Sequence, residues 1–300
     1  MNSIYVCNAK EDSITKINLD DMSLETLHLR VDGRLMGPSN IDVKGEIGVV
    51  ANSYDNTISL LNMKDFKEEY CDYIGANPID VKIYKNYVYA LCNELNSIVI
   101  YDLEERCTIL EIPSGSSPQN ISLNEDNEIM LVSNLLDKTI SIIDLKENIN
   151  VGVIQIVEYP IKVKFSFSGE LFYVCESSLE NGEDGYVSIY KVKDYSLIKR
   201  VKVGIMPIDL YESKDVLYVL NAGECTILEM NLEKKLEKKE MYINGMPKCI
   251  IKFNENFFIS DYIKEKLYIL GESYNKEKII TLGKEPNAMI LVTSNHQITN

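Results

Sequence analysis

Eight polar side chains recur at fixed distances after prolines, and they are the residues best placed to do chemistry. Two or four positions after five of the prolines stand Asn40, Asp42, Asp80, Lys82, Asn120, Lys162, Asp209 and Tyr211. Residues two apart on a β-strand point to the same side. If these strands line a central channel, we expect the eight side chains to form a ligand-binding site at its mouth, suited to a small amphipathic molecule. The alternative is that the charges are solvated in a wet channel and neutralise one another.

Residue types that usually carry hydrolytic chemistry are scarce. The histidines are His28, in a predicted outer strand, and His296, near the C-terminus. Zinc sites need clusters of His or Cys, and neither a G-x-S-x-G elbow nor an H-E-x-x-H pair occurs. The sequence therefore predicts no catalytic residue, no metal site and no cofactor.

A repeat of about forty residues positions the polar side chains. Two independent markers keep this period. Seven prolines lie 39 to 47 residues apart, at Pro38, Pro78, Pro118, Pro160, Pro207, Pro247 and Pro286. A polar residue that ends an apolar run recurs at Asn8, Asn52, Asn93, Asn134, Glu176, Asn221 and Asp261. Such a period indicates an array of equivalent units.

Each unit contains strand patterns. After Pro78 they are "IDVKIY", "YVYALC", "SIVIYDL" and "CTILEI", with turn residues between them. Seven such units predict an all-β fold, a seven-bladed β-propeller of four-stranded antiparallel blades, in which residues 1–300 form a single domain. We expect the C-terminal strand "NAMILV" (287–292) to pair with the N-terminal strands and close the ring of blades.

Net charge and cysteine content predict the class of partner and the cellular compartment. The net charge of −15 repels nucleic acid and anionic lipid, so we expect neither as a partner. No apolar run is long enough to cross a bilayer, and the N-terminus has no signal-peptide pattern. Seven cysteines without a C-x-x-C pair suit a reducing compartment. We expect a cytoplasmic monomer.

At "YVCN" (5–8), "VVAN" (49–52) and "YVLN" (218–221), with "NTISLLN" and "IGANPIDV", the chain resembles the YVTN β-propeller repeat family, which includes the YncE-like proteins. The resemblance covers all seven units and implies a scaffold fold with diverse roles. Glu176 and Asp261 replace the usual Asn, and the fourth unit lacks the Gly of the G-x-x-P turn. We expect each Asn to cap its turn by bonding its own backbone.

Three functions remain open. We expect a non-catalytic scaffold that presents one face or the channel to a protein partner or small ligand. Seven-bladed lactonases share the architecture, and that resemblance implies a lactonase-like hydrolase acting on a sugar lactone through Asp80, Asp209 and Lys162. The third alternative is a component of a larger surface or coat assembly.

Overall fold

The computed structural model is a seven-bladed, all-β propeller, and it confirms the predicted fold class. It describes residues 2–29, 33–179, 182–232, 238–243, 245–271, 276–293 and 298–299. By its internal contacts the chain divides into two compact units, Met1–Glu111 with Asn256–Asn300, and Ile112–Glu255. In the described residues the helical content is one 3-10 turn, Ala9–Glu11, and no helix could span a membrane.

The strands of the first unit precede and follow those of the second in the sequence. The first unit contains β1 (Ser3–Asn8), β2 (Ser13–Asn18), β3 (Leu24–His28), β4 (Pro38–Lys44), β5 (Ile47–Asn52), β6 (Thr57–Asn62), β7 (Lys67–Tyr73), β8 (Pro78–Tyr84), β9 (Tyr87–Cys92), β10 (Ser97–Asp102), most of β11 (Cys107–Pro113) and the last five strands of the chain. The second contains β12 (Pro118–Asn124), β13 (Ile129–Asn134), β14 (Thr139–Asp144), β15 (Ile149–Gln155), β16 (Tyr159–Phe165), β17 (Leu171–Ser177), β18 (Asp184–Lys191), β19 (Leu197–Ile205), β20 (Pro207–Ser213), β21 (Val216–Asn221), β22 (Thr226–Asn231), β23 (Lys238–Tyr242) and β24 (Pro247–Phe253). The last five strands are β25 (Asn256–Asp261), β26 (Lys266–Leu270), β27 (Lys276–Thr281), β28 (Pro286–Val292) and β29 (Ile298–Thr299).

Among the described residues, six sheets are meanders of four consecutive strands, whereas the sheet that contains both the first and the last strands is assembled differently. Its order is β29-β28-β1-β2-β3, with Ser3 opposite Val292 and Val6 opposite Met289. The predicted pairing of the C-terminal strand with the N-terminal strands is therefore confirmed. In four sheets the register of the fourth strand shifts against the third, which twists an exposed edge away from further pairing.

Apolar side chains fill the space between neighbouring sheets of each unit. The residue three places after each anchor proline is predicted to face the core, and Ile41, Val81, Ile121, Val163, Leu210 and Ile250 are fully buried. Met289, at the equivalent place in β28, is only partly buried. In β28 it is instead Ala288 and Ile290 that join the cluster around Tyr5 and Ile41.

Candidate functional site on the first strands

A β-bulge after the proline sets the direction of the candidate side chains. In β4, Pro38 lies opposite Asn52 and Asn40 opposite Ala51, so one residue is extra. The same shift follows Pro78, Pro118, Pro160 and Pro207. The residues two and four places after the proline then share one side of the first strand, as the sequence predicts.

In the first unit these residues bond to one another and to the backbone. The Asn40 amide donates to Asp80 Oδ1 at 2.7 Å, and Asp80 Oδ1 also accepts from the Val81 N–H at 2.9 Å. Asp42 Oδ2 accepts from the Ile83 N–H of the next sheet at 2.7 Å. Lys82 lies on the same side of β8 as Asp80 and is 6% exposed.

The second unit repeats the contact from one sheet to the next. Asn120 Oδ1 accepts from the Val163 N–H at 3.0 Å, and Asp209 Oδ2 accepts from the Ile250 N–H at 2.9 Å. The first strand of a sheet is an edge, so its outward N–H groups need acceptors from outside the sheet. These side chains provide them. The two carboxylates have little exposure to solvent, since Asp80 is 1% and Asp209 8% exposed, whereas the mutual neutralisation of charges that the alternative expects is seen between Lys162 and Asp209.

Two lysines on β16 keep part of their charge accessible. Lys162 Nζ lies 3.5 Å from Asp209 Oδ1, and the Lys162 side chain is 29% exposed. Lys164, two residues on, donates to the Leu210 carbonyl at 3.3 Å and lies 5.2 Å from the centre of the Tyr211 ring. The Phe167 ring meets Tyr211 edge-on at 6.3 Å and is 58% exposed. We call Lys162, Lys164, Tyr211 and Phe167 the β16 site.

The sequence identified Lys162 and Tyr211 but missed the other two members of this site. Lys164 shares the strand face of Lys162, so the alternation of strand side chains was a sufficient signal for it. Phe167 lies in the turn after β16, where no pattern indicates its direction. Cys175 lies opposite Lys162 in the sheet, and burial raises the pKa of its thiol. It therefore stays protonated and is not a nucleophile.

The polar residues that end the second strands are structural, although not in the predicted way. The amide of Asn134 donates to the hydroxyls of Thr139 at 3.0 Å and Ser141 at 2.9 Å on the third strand, and Asn8 and Asn52 make the same pair of bonds. The expectation that Asn caps its own backbone is thus wrong for these three. It holds for Asp261, which accepts from the N–H groups of Ile263 and Lys264.

Among the polar residues predicted to end the second strands, Asn93 was assigned one position too far along the sequence. Cys92, not Asn93, lies opposite Pro78, where Asn52 and Asn134 lie opposite their own prolines. A glycine packs against this position from the G-x-x-P turn. A Cβ on Gly115 would lie 2.6 Å from the Asn134 side chain, and one on Gly75 would lie 2.9 Å from Cys92 Sγ.

In the sheet that begins at β16 the position is occupied by a fully buried carboxylate. Glu176 is 0% exposed, and Arg200 donates to its Oε2 from Nε at 3.2 Å and Nη2 at 3.0 Å. Glu176 also accepts from the Glu158 N–H at 3.1 Å and from the Ser188 hydroxyl. The guanidinium lies 3.5 Å from the centre of the Tyr186 ring. The turn before β16 has Val157 at the place that Gly75 and Gly115 occupy in their own turns.

Metal ligands do not cluster in the part of the chain that the structure describes. Within those ranges no three His, Cys, Asp or Glu side chains are arranged to hold an ion. His28 ends the outer strand β3, and His296 lies outside the described residues.

Comparison with known proteins identifies relatives by fold alone. No protein-family model and no curated protein matches the sequence. Among solved structures, a functionally unknown protein from Desulfotomaculum acetoxidans has a TM-score of 0.81 at 15% identity, over 100% of this chain and 99% of that one. A "putative 6-phosphogluconolactonase" from Bacteroides fragilis has 0.79 at 13%, over 97% and 98%. Kuenenia stuttgartiensis hydrazine synthase has 0.75 at 13%, over 91% and 96%. At such identities the likeness establishes a shared β-propeller fold.

Proposed function

We propose that this protein is a non-catalytic β-propeller scaffold that binds a small anionic ligand at the β16 site. The observation that carries the proposal is the pair Lys162 and Lys164, two ammonium groups on one side of one strand in a chain of net charge −15. The Lys162 side chain is 29% exposed, so a ligand in solution can reach it.

The aromatic residues indicate what the anion is attached to. Phe167 presents an exposed ring edge-on to Tyr211, and Lys164 Nζ lies 5.2 Å from the centre of the Tyr211 ring. A ring face next to ammonium groups suits a carboxylate or phosphate carried on a sugar or another flat, partly apolar body. The ligand class is therefore an amphipathic organic anion.

Hydrolysis of a lactone is the second candidate function. It is supported by the fold that the chain shares with the "putative 6-phosphogluconolactonase" from Bacteroides fragilis. A general base must be able to take a proton from water. Asp209 uses one oxygen for Lys162 and the other for the Ile250 N–H, while Asp80 Oδ1 is shared by Asn40 and Val81. Because both oxygens of Asp209 and one oxygen of Asp80 already have partners, binding without turnover is favoured.

The proposed family, compartment, oligomeric state and excluded partners come from the sequence motifs and the composition. We place the protein in the YVTN repeat family and in the cytoplasm, as a monomer that binds neither nucleic acid nor membrane. All seven cysteines are free thiols, which supports a reducing compartment. The charge of −15 supports the exclusion of polyanionic partners.

Calorimetric titration with 6-phosphogluconate and gluconate, beside a thermal-shift series, tests the proposal. Ligand at a hundredfold its Kd should add about 2.7 kcal/mol, a rise of several degrees in Tm. The double variant Lys162→Met/Lys164→Met should weaken binding at least tenfold, and Lys146→Met, an exposed turn lysine, should not.

A parallel assay of glucono-δ-lactone hydrolysis separates the two candidates. Asp209→Asn keeps an oxygen acceptor for Ile250, so the fold should persist. Turnover by the wild type that disappears in Asp209→Asn would replace the scaffold by the lactonase. Absence of any anion binding would refute the β16 site.

A further inference from the structure

In the second unit, the turns at one end of successive sheets form a continuous band of contacts. We call this band the turn surface: residues 135–138, 177–179, 182–184 and 222–225 between second and third strands, and 113–117, 156–159, 204–206, 243 and 245–246 before first strands. The Leu136 N–H donates to the Ser116 carbonyl, and Lys138 Nζ lies 4.0 Å from Glu158 Oε2. Ala222 N–H donates to the Met206 carbonyl and Ile243 N–H to the Cys225 carbonyl.

Large apolar side chains are exposed along the whole turn surface and on the residue preceding its last segment. Their exposed fractions are 63% for Leu136, 62% for Val157, 46% for Leu179, 37% for Met206, 70% for Tyr242 and 38% for Met246. Single exposed apolar residues are ordinary, but a row of them on adjacent turns marks an interaction surface. Two are methionines, whose flexible side chains adapt to different partners.

The charge of the turn surface is mostly negative. Lys138 is its basic side chain among the described residues, and the acidic ones are Asp137, Glu158, Glu183, Asp184 and Glu224. Lys202 of β19 reaches Asp184 at 2.6 Å. An acidic rim around apolar residues attracts a positively charged, partly apolar partner and repels an acidic one.

The turns at the other end of the same sheets have equally acidic but less apolar sequences. They read "EDNE" at 125–128, "LKEN" at 145–148, "SFSGE" at 166–170 and "KD" at 214–215, and Phe167, 58% exposed, is the large exposed apolar residue among them. Acidity is therefore common to both ends, while the apolar row is specific to the turn surface.

We infer that the turn surface docks a basic, amphipathic segment of a partner protein, whose apolar side chains pack on Leu136, Val157 and Met206 and whose Lys or Arg residues meet the acidic rim. The inference does not rest on the β16 site and stands if that site binds nothing. Peptide segments with one apolar and one charged face commonly dock in this way.

Fluorescence anisotropy with synthetic peptides tests the inference on the full chain. The probes are a labelled Lys/Leu amphipathic helix of about 16 residues and a Glu/Leu peptide of the same pattern. The Lys/Leu peptide should bind, weaken as NaCl rises from 50 to 500 mM, and lose about tenfold or more in affinity with Leu136→Ser/Val157→Ser. The matched control Leu197→Ser/Ile198→Ser removes two apolar residues of β19 that are 50% and 49% exposed, and it should leave the Kd unchanged.

The opposite results overturn the inference. Binding of the Glu/Leu peptide with equal affinity would refute the charge argument. Equal losses in the Leu136/Val157 and Leu197/Ile198 variants would show non-specific adhesion to an acidic protein. A Lys/Leu peptide that fails to bind at 50 mM NaCl would refute the docking surface itself, whatever the calorimetry of the β16 site shows.

Discussion

Replacing Arg200 by methionine would remove the counter-ion of a carboxylate that has no contact with water. Glu176 is 0% exposed, and Arg200 supplies two of its hydrogen bonds at 3.0 and 3.2 Å, whereas the Glu158 N–H and the Ser188 hydroxyl supply the others. Breaking a buried ion pair from one side costs about 3–5 kcal/mol, because the other charge stays buried. We therefore expect Arg200→Met to lower Tm by roughly 6–15 °C.

The assay is chemical and thermal unfolding, followed by circular dichroism. Lys202→Met is the matched control, since Lys202 lies on the same strand and pairs with Asp184 at the surface, where both side chains are substantially exposed. A surface pair is worth about 0–1 kcal/mol, so this variant should lose little. Adding Glu176→Gln to Arg200→Met removes the unpaired charge and should restore most of the loss. Equal stabilities of Arg200→Met and Lys202→Met would refute the reasoning.

Three further predictions concern the rest of the fold. Deleting residues 286–300 removes the partner of β1 and should give insoluble or unfolded protein; a soluble truncation with an unchanged Tm contradicts the closure. Gly115→Ala places a methyl group 2.6 Å from the Asn134 side chain and should cost about 1–3 kcal/mol of unfolding free energy, whereas Gly152→Ala, with its nearest atom at 3.8 Å, should be near neutral. Burial raises the pKa of Tyr5 from 10.0 to about 12, so its contribution to stability is complete below pH 10 and is lost as pH rises through 12. Denaturant titrations from pH 9 to 12 should show a smaller loss for Tyr5→Phe; identical slopes would contradict this.

Most of the fold could be predicted from the repeat period of the sequence. Strand repeats depend on local alternation and turns, so the sheets, their order and the β1–β28 pairing could be predicted from spacing alone. The error at Asn93 arose because "CN" offers two residues at the end of a strand, and only the register with Pro78 selects Cys92.

The candidate site was predictable in position but not in role. Alternation placed Asp42, Asn120 and Asp209 on the correct strand face. Their bonds to Ile83, Val163 and Ile250 depend on how far one sheet is rotated against the next, which no local pattern contains. The pairing of Glu176 with Arg200 was hidden for a similar reason, because those residues lie 24 positions apart on non-adjacent strands.

The β1–β28 pairing also sets when β1 can complete its sheet during protein synthesis. Glu11 and Lys284, which bond beside the joint, are 273 positions apart, and a ribosome adds about 5–20 residues per second. β1 therefore waits roughly 14–55 s until β28, its neighbour in the sheet, has been synthesised. During that interval one edge of β1 is open to other chains. We expect dependence on chaperones to be greatest until β28 has been synthesised and has paired with β1.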